Sequence, residues 1–175
     1  MENKKRNILI DEEKIQKRIV ELAKEISSDY EGKKLYVLSL LRGSFIYTAD
    51  LVRHISVPTK IGFMTTSSYG HSEESSGKVK IVNDVPDDVN GYDVLVVDDI
   101  VDTGITMEFV MSHVKSLGAN SVNCCVLLDK PDRRKVEIKP DYCCFEIPDV
   151  FVVGYGLNYG DYYRNIPYVF NWEEN

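Results

Sequence analysis

The sequence predicts an α/β fold, a central and mostly parallel β-sheet flanked by helices. Three observations predict it. Continuous apolar runs such as Leu35–Leu41 and Val94–Val97 have strand length without polar alternation, as strands covered on both faces do. Segments with apolar residues at helical spacing lie between these runs. Gly- or Asp-containing turns follow the runs at their carboxyl ends, where open parallel sheets bind ligands.

Ile15, Ile19, Leu22 and Ile26 recur on one helical face, so residues 11–28 read as an amphipathic helix. Asp29 to Lys34 form a polar turn, and Leu35–Leu41 is the first buried strand. Arg42-Gly43-Ser44 breaks it; Phe45, Ala49, Val52 and Ile55 then predict a helix with Ser44 near its N-cap. Residues 57–68 read as a strand, 69–78 as a Gly-, Ser- and Glu-rich loop, and Val79 to Val82 as a short returning strand. Asp93–Asp98 is a strand ending in acid. Met107, Val110, Val114 and Leu117 make the next helix, with Gly118 as its stop. Ser121–Leu128 is a further strand, and Tyr142–Glu146, Phe151–Val153 and Tyr168–Phe170 are shorter ones.

A chain of 175 residues has the size of one domain and can bury a core without metal or disulfide staples. Acidic residues outnumber basic ones by 28 to 21, a net charge of −7, which argues against a nucleic-acid partner but not against a small phosphorylated ligand. No apolar run is long enough to span a membrane, and the first residues lack the pattern of a signal peptide, so a cytoplasmic protein is expected. The four cysteines form two adjacent pairs, Cys124-Cys125 and Cys143-Cys144, without the spacing of a zinc or redox site. In strands, neighbours point to opposite faces, so these read as packing residues.

The chemistry concentrates between Val94 and Thr106. A buried strand delivers two adjacent carboxylates, Asp98 and Asp99, and a third, Asp102, follows. Thr103-Gly104-Ile105-Thr106 then supplies two hydroxyls, a flexible glycine and the first amides of a helix, the ingredients of a phosphate site. Carboxylates beside a phosphate make sense if they face sugar hydroxyls or a divalent cation that offsets their charge.

The run Val94–Thr106 resembles the phosphoribosyl-pyrophosphate motif of type I phosphoribosyltransferases. Leu41-Arg42-Gly43-Ser44-Phe45, Ser68-Tyr69-Gly70, Leu127–Lys130, Pro140–Asp149, Phe151–Leu157 and Tyr163-Arg164-Asn165 resemble the hypoxanthine-guanine branch, so the resemblance runs from about residue 8 to 170. It implies one domain over residues 1–175, with a core at about 8–150 and a small hood over the purine site built from the N-terminal segment and about 140–172. The implied activity is purine salvage: transfer of the 5-phosphoribosyl group from 5-phosphoribosyl 1-pyrophosphate to a 6-oxopurine, giving IMP or GMP, with Mg²⁺ as cofactor. The family also implies a homodimer or homotetramer.

The roles follow from the same resemblance. Asp102, Thr103, Gly104, Ile105 and Thr106 would cradle the 5-phosphate, and Asp98 and Asp99 would hold the ribose hydroxyls, directly or through Mg²⁺. Asp102 would exchange a proton at purine N7, and Lys130 would donate to the 6-oxygen, favouring a 6-oxo over a 6-amino base because an ammonium only donates. Phe151 would stack on the base and Val152 would offer its backbone to the base edge. Leu41, Arg42, Gly43 and Arg164 would bind pyrophosphate, with the Leu41–Arg42 bond in the cis form, and Ser68 and Tyr69 would close as a lid that excludes water. Asn158 stands where the family usually has an aspartate that helps hold a second Mg²⁺, so metal binding there is in doubt. Two rivals share the fold: a regulator that binds nucleotide or RNA without turnover, disfavoured by the charge of −7, and a transferase for adenine, orotate or uracil, disfavoured by Lys130 with Phe151-Val152.

Overall fold

The computed structural model describes residues 7–68 and 79–172. Helix α1, Glu12–Asp29, forms where the apolar stripe recurs: Ile15, Ile19, Leu22, Ala23 and Ile26 are buried. Asp11 caps it, one carboxylate oxygen accepting the Lys14 amide at 2.9 Å. Strand β2, Leu35–Leu41, helix α2, Phe45–Val52, and strand β3, Thr59–Ser68, follow. Then come β4, Val79–Asn83; β5, Asp93–Val101; α3, Ile105–Ser116; β6, Ser121–Asp129; a short 3₁₀ turn, Pro131–Arg133; and β7, Tyr142–Glu146.

These strands make a six-stranded sheet in the order β4-β3-β2-β5-β6-β7. All its pairings are parallel except β3 with β4. Because side chains alternate across a strand, the sheet feeds two cores. Leu35, Val37, Leu95, Val97, Cys125 and Leu127 pack under α1 and α2. Tyr36, Leu38, Val94, Val96, Cys124 and Val126 pack under α3. The adjacent cysteines thus serve opposite faces, and all four are free thiols.

Strand β1, Asn7–Ile10, pairs antiparallel with β9, Val169–Asn171, which pairs in turn with β8, Val152–Val153. This second sheet joins the start of the chain to its end. No helix among the described residues is long and apolar enough to cross a membrane.

Ser44 is the N-cap residue of α2, as expected, and two local details differ from the sequence reading. Ser44 precedes α2, but its side chain makes no cap bond. Its hydroxyl bonds the Leu40 carbonyl and sits 2.8 Å from Ser39 Oγ, which also meets Thr48 Oγ1 at 2.8 Å. A buried hydroxyl finds a stronger partner there than a helix amide, and these three side chains satisfy one another inside the core. β5 also runs three residues past Asp98, because Asp98, Ile100 and Val101 still pair with Val126, Leu128 and Asp129 of β6. Asp98 and Asp99 therefore lie within the strand.

Ile19 is fully buried between α1 and the sheet. Ile19→Ala should lower stability by about 3 kcal/mol, the usual cost of a cavity in a packed core, read from the urea midpoint.

Candidate active site

The connection from β5 to α3 is short, and Gly104 in it adopts φ +84°. A side chain there would be strained and would press on Ile138, Val136 and Arg134. The segment after β6 grips this loop from behind. Lys130 N–H donates to the Val101 carbonyl at 2.9 Å, Lys135 N–H to the Thr103 carbonyl at 2.9 Å, and Arg134 Nη1 to the Asp102 carbonyl at 3.0 Å. Three successive carbonyls are thus turned away, while the first N–H groups of α3 have no partner within the helix. Thr103 Oγ1 lies 3.4 Å from the Ile105 amide, a weak contact. The result is a concentration of N–H donors at a helix N-terminus, an anion site.

Beside it, the Leu41–Arg42 peptide is cis, as the motif led one to expect. Gly43 lies so close to Asp99 that a Cβ would collide with the carboxylate, and a Cβ on Gly156 would strike the Gly43 carbonyl. Arg164 Nη1 donates to the Gly156 carbonyl at 2.6 Å. Arg42, Gly43, Asp99, Gly156 and Arg164 therefore converge from three distant parts of the chain. Asp98 and Asp99 meet in the same place. Burial, then the charge of Asp99, pushes Asp98 well above the ordinary carboxylate range. Burial also raises Asp99, against the opposing hydrogen bonds of Asp98 and the Ile100 amide and the charge of Arg164.

Lys130 is a buried residue, and its ammonium stands 3.9 Å from an oxygen of Asp149, beyond hydrogen-bond length. Arg133 bridges Asp149 at 3.6 Å and Asp102 at 2.9 Å. Phe151 is half-exposed and meets Tyr159 edge-on, with ring centroids 6.1 Å apart, while Tyr159 stacks on Trp172 at 4.1 Å. The Phe151 carbonyl accepts the Trp172 amide, and Val152 pairs with Asn171 in the small sheet.

A strand-end cluster of N–H donors, paired acids and a buried lysine accompany a match to a known family. Residues 6–160 match the Phosphoribosyl transferase domain. The chain belongs to the phosphoribosyltransferase family. Hypoxanthine-guanine phosphoribosyltransferase of Bacillus subtilis is 44% identical over 162 residues, covering 93% of this chain and 90% of its own. That of Aquifex aeolicus is 46% identical over 172 residues, covering 98% and 97%. Among solved structures, a hypoxanthine phosphoribosyltransferase from Staphylococcus aureus superposes with a TM-score of 0.92 at 40% identity, covering 95% of this chain and 91% of its own.

Within this phosphoribosyltransferase, the residues singled out from sequence fall into two groups around β5 and β6. Asp98, Asp99, Arg42, Gly43 and Arg164 share one; Asp102 to Thr106 and Lys130 share the other, joined through Arg133 and Asp149. Asn158 is turned aside, its Nδ2 donating to the Gly160 carbonyl. Ser68 ends β3, and Tyr69 lies outside the described residues. Asp149 was read only as the end of the purine-side segment Pro140–Asp149, without a role, and sequence reasoning missed Arg133 and Arg134. Their signal was present as two cations three and four places after Lys130, but its meaning depends on the chain folding back over Asp102.

The raised Asp98 supplies a stability prediction. A carboxyl with a raised folded value takes up its proton more readily when folded, so its ionisation costs stability in full above that value, and the cost declines as pH falls below it and is gone below the ordinary unfolded carboxyl range. Asp98→Asn should therefore stabilise the ligand-free protein at pH 8 by about 1 kcal/mol, roughly 2–4 °C in Tm for a chain of this size. The gain should shrink on acidification, as differential scanning calorimetry across pH would record.

Proposed function

We propose that this phosphoribosyltransferase transfers the 5-phosphoribosyl group from 5-phosphoribosyl 1-pyrophosphate to N9 of hypoxanthine, and of guanine, giving IMP or GMP and pyrophosphate. The observation that carries the reading is Lys130, a buried residue whose backbone N–H bonds Val101 at the start of the anion loop and whose ammonium stands beyond hydrogen-bond length of Asp149. An ammonium in that position suits a 6-oxygen and repels a 6-amino group's donors.

In this reading the α3 amides with Thr103 and Thr106 hold the 5-phosphate, and the clamped carbonyls of Val101, Asp102 and Thr103 keep negative oxygen dipoles off it. Asp98 and Asp99 face the ribose hydroxyls. Asp102 holds or releases the proton at purine N7. Arg42, Gly43 and Arg164 receive the departing pyrophosphate as the bond to the anomeric carbon breaks and the bond to N9 forms. Phe151 covers the base, Val152 meets its edge, and Ser68 with Tyr69 keeps water from the reacting carbon.

The donor set fits Mg²⁺. Two crowded carboxylates, one of them pushed upward partly by the other's charge, are what a hard divalent cation neutralises, and this ion is commonly held by one or two carboxylates completed by substrate phosphate oxygens. When bound it would offset charge on the leaving oxygens. Asp98 and Asp99 would hold it; Asn158 brings an uncharged amide to the second position and weakens it.

The whole of residues 1–175 acts as one catalytic unit, with the small β1-β9-β8 sheet as its hood, in a cytoplasmic setting without nucleic-acid partners. Ile61 and Phe63 lie on the same face of β3 as α2 and remain exposed, as does Phe45, an apolar surface suited to a homodimer or homotetramer.

A coupled assay with the donor and each of hypoxanthine, guanine, xanthine and adenine should show turnover of 6-oxopurines and little of adenine. Lys130→Ala should reduce kcat/KM for hypoxanthine by about 100-fold, as loss of a buried charged donor does. Adenine use without 6-oxopurine use would sink the assignment. In a Mg²⁺ titration, Asn158→Asp should reach half-saturation at a lower concentration than the native protein; identical curves would count against a metal role at that position.

A further inference from the structure

We propose that Arg133 is a positioning residue that couples the carboxylate of Asp102 to the purine-side pair Asp149 and Lys130; this rests on the reading of Asp102 as the proton-exchanging group and Lys130 as the 6-oxygen donor. Neither the motif in β5 nor the purine-side segments point to Arg133. Its place is fixed by the backbone around it: Lys130 N–H on Val101, Arg134 on Asp102 and Lys135 N–H on Thr103 hold the segment against the phosphate loop on both sides. From that frame Arg133 Nε donates to Asp102 Oδ1 at 2.9 Å, and Nη1 lies 3.6 Å from Asp149 Oδ2. Asp149 Oδ1 lies 3.9 Å from Lys130 Nζ. The four groups alternate in sign across the floor that joins phosphate loop to purine side.

Two consequences follow from this alternation. A planar guanidinium fixes the direction of a carboxylate it bonds, so engagement of Asp102 Oδ1 leaves Oδ2 as the oxygen presented to a ligand. Asp149, shared between two cations, does not draw Lys130 into hydrogen-bond contact. Without Arg133, Lys130 would be the cation left beside Asp149 in this row, and its ammonium would be pulled away from a base. The other charged groups at this point are Arg134, engaged with Asp129 and the Asp102 carbonyl, and Asp129 itself. Neither can replace Arg133 on the Asp102 carboxylate. The Arg133 side chain is 47% exposed, so its loss should barely change folding stability.

The test is steady-state kinetics with hypoxanthine and the phosphoribosyl donor on Arg133→Gln, Arg133→Lys, Asp102→Asn, Asp149→Asn and the double variants that combine Arg133→Gln with each acid change. Arg133→Gln should lower kcat roughly 5- to 10-fold and raise KM for the base about 3-fold, with KM for the donor and Tm unchanged. The kcat loss should disappear within the residual turnover of Asp102→Asn, and the KM rise should disappear in Asp149→Asn. Arg133→Lys should recover part of the loss, because one ammonium cannot span both acids. Unchanged kinetics in Arg133→Gln, or losses that multiply in both acid backgrounds, would overturn the positioning role. Full turnover by Asp102→Asn would instead overturn the underlying reading of Asp102.

Discussion

The parallel pairing of β5 with β6 is the constraint on which the rest of the site depends. It persists beyond the buried centre of the sheet until Val101 stands opposite Asp129. In that register the next residues on each strand, Asp102 and Lys130, emerge side by side, and the Lys130 amide closes the ladder on the Val101 carbonyl. A slip of β6 by one residue would send the Lys130 side chain to the opposite face from Asp102's neighbourhood. The phosphate binding and base recognition proposed for these residues would thereby be set by the same hydrogen bonds that hold the sheet.

A second contact works at closer range. Gly43, Gly156 and the Asp99 carboxylate approach so nearly that neither glycine has room for a methyl group. Here glycine is required by crowding, and for Gly156, at φ +102°, by backbone conformation as well. The tight approach brings an arginine from near the end of the chain, Arg164, into the neighbourhood of two acids from its middle, and so balances charge where the protein would otherwise hold two adjacent carboxylates.

What could be read from sequence divides along physical lines. α1, β2 and the start of β5 were readable because their apolar periodicity is strong and local, and the turn from Asp98 to Thr106 was readable because its chemistry is contiguous. β1, at four residues, carries no periodic signal and exists through its pairing with β9. Ser44 looked like a cap because caps are judged from neighbours in sequence, whereas its hydroxyl is claimed by the Leu40 carbonyl and by Ser39 on the preceding strand. The pairing of Arg133 with Asp149 was unreadable for a stronger reason: fifteen positions lie between them, and only the fold makes them partners.

The cysteines carry a consequence of their own. Cys124, Cys125 and Cys144 are sealed in the interior, and burial pushes the Cys124 and Cys144 thiols up to about 12 and raises Cys125 well above its ordinary value. The thiolate is the reactive form, so these sulfurs are almost inert to electrophiles while the sheet is closed. Their alkylation can proceed only through opening of the β6–β7 region. The molecule therefore contains its own chemical clock, since the rate at which a maleimide consumes its interior thiols measures how often the β6–β7 edge of the sheet breathes.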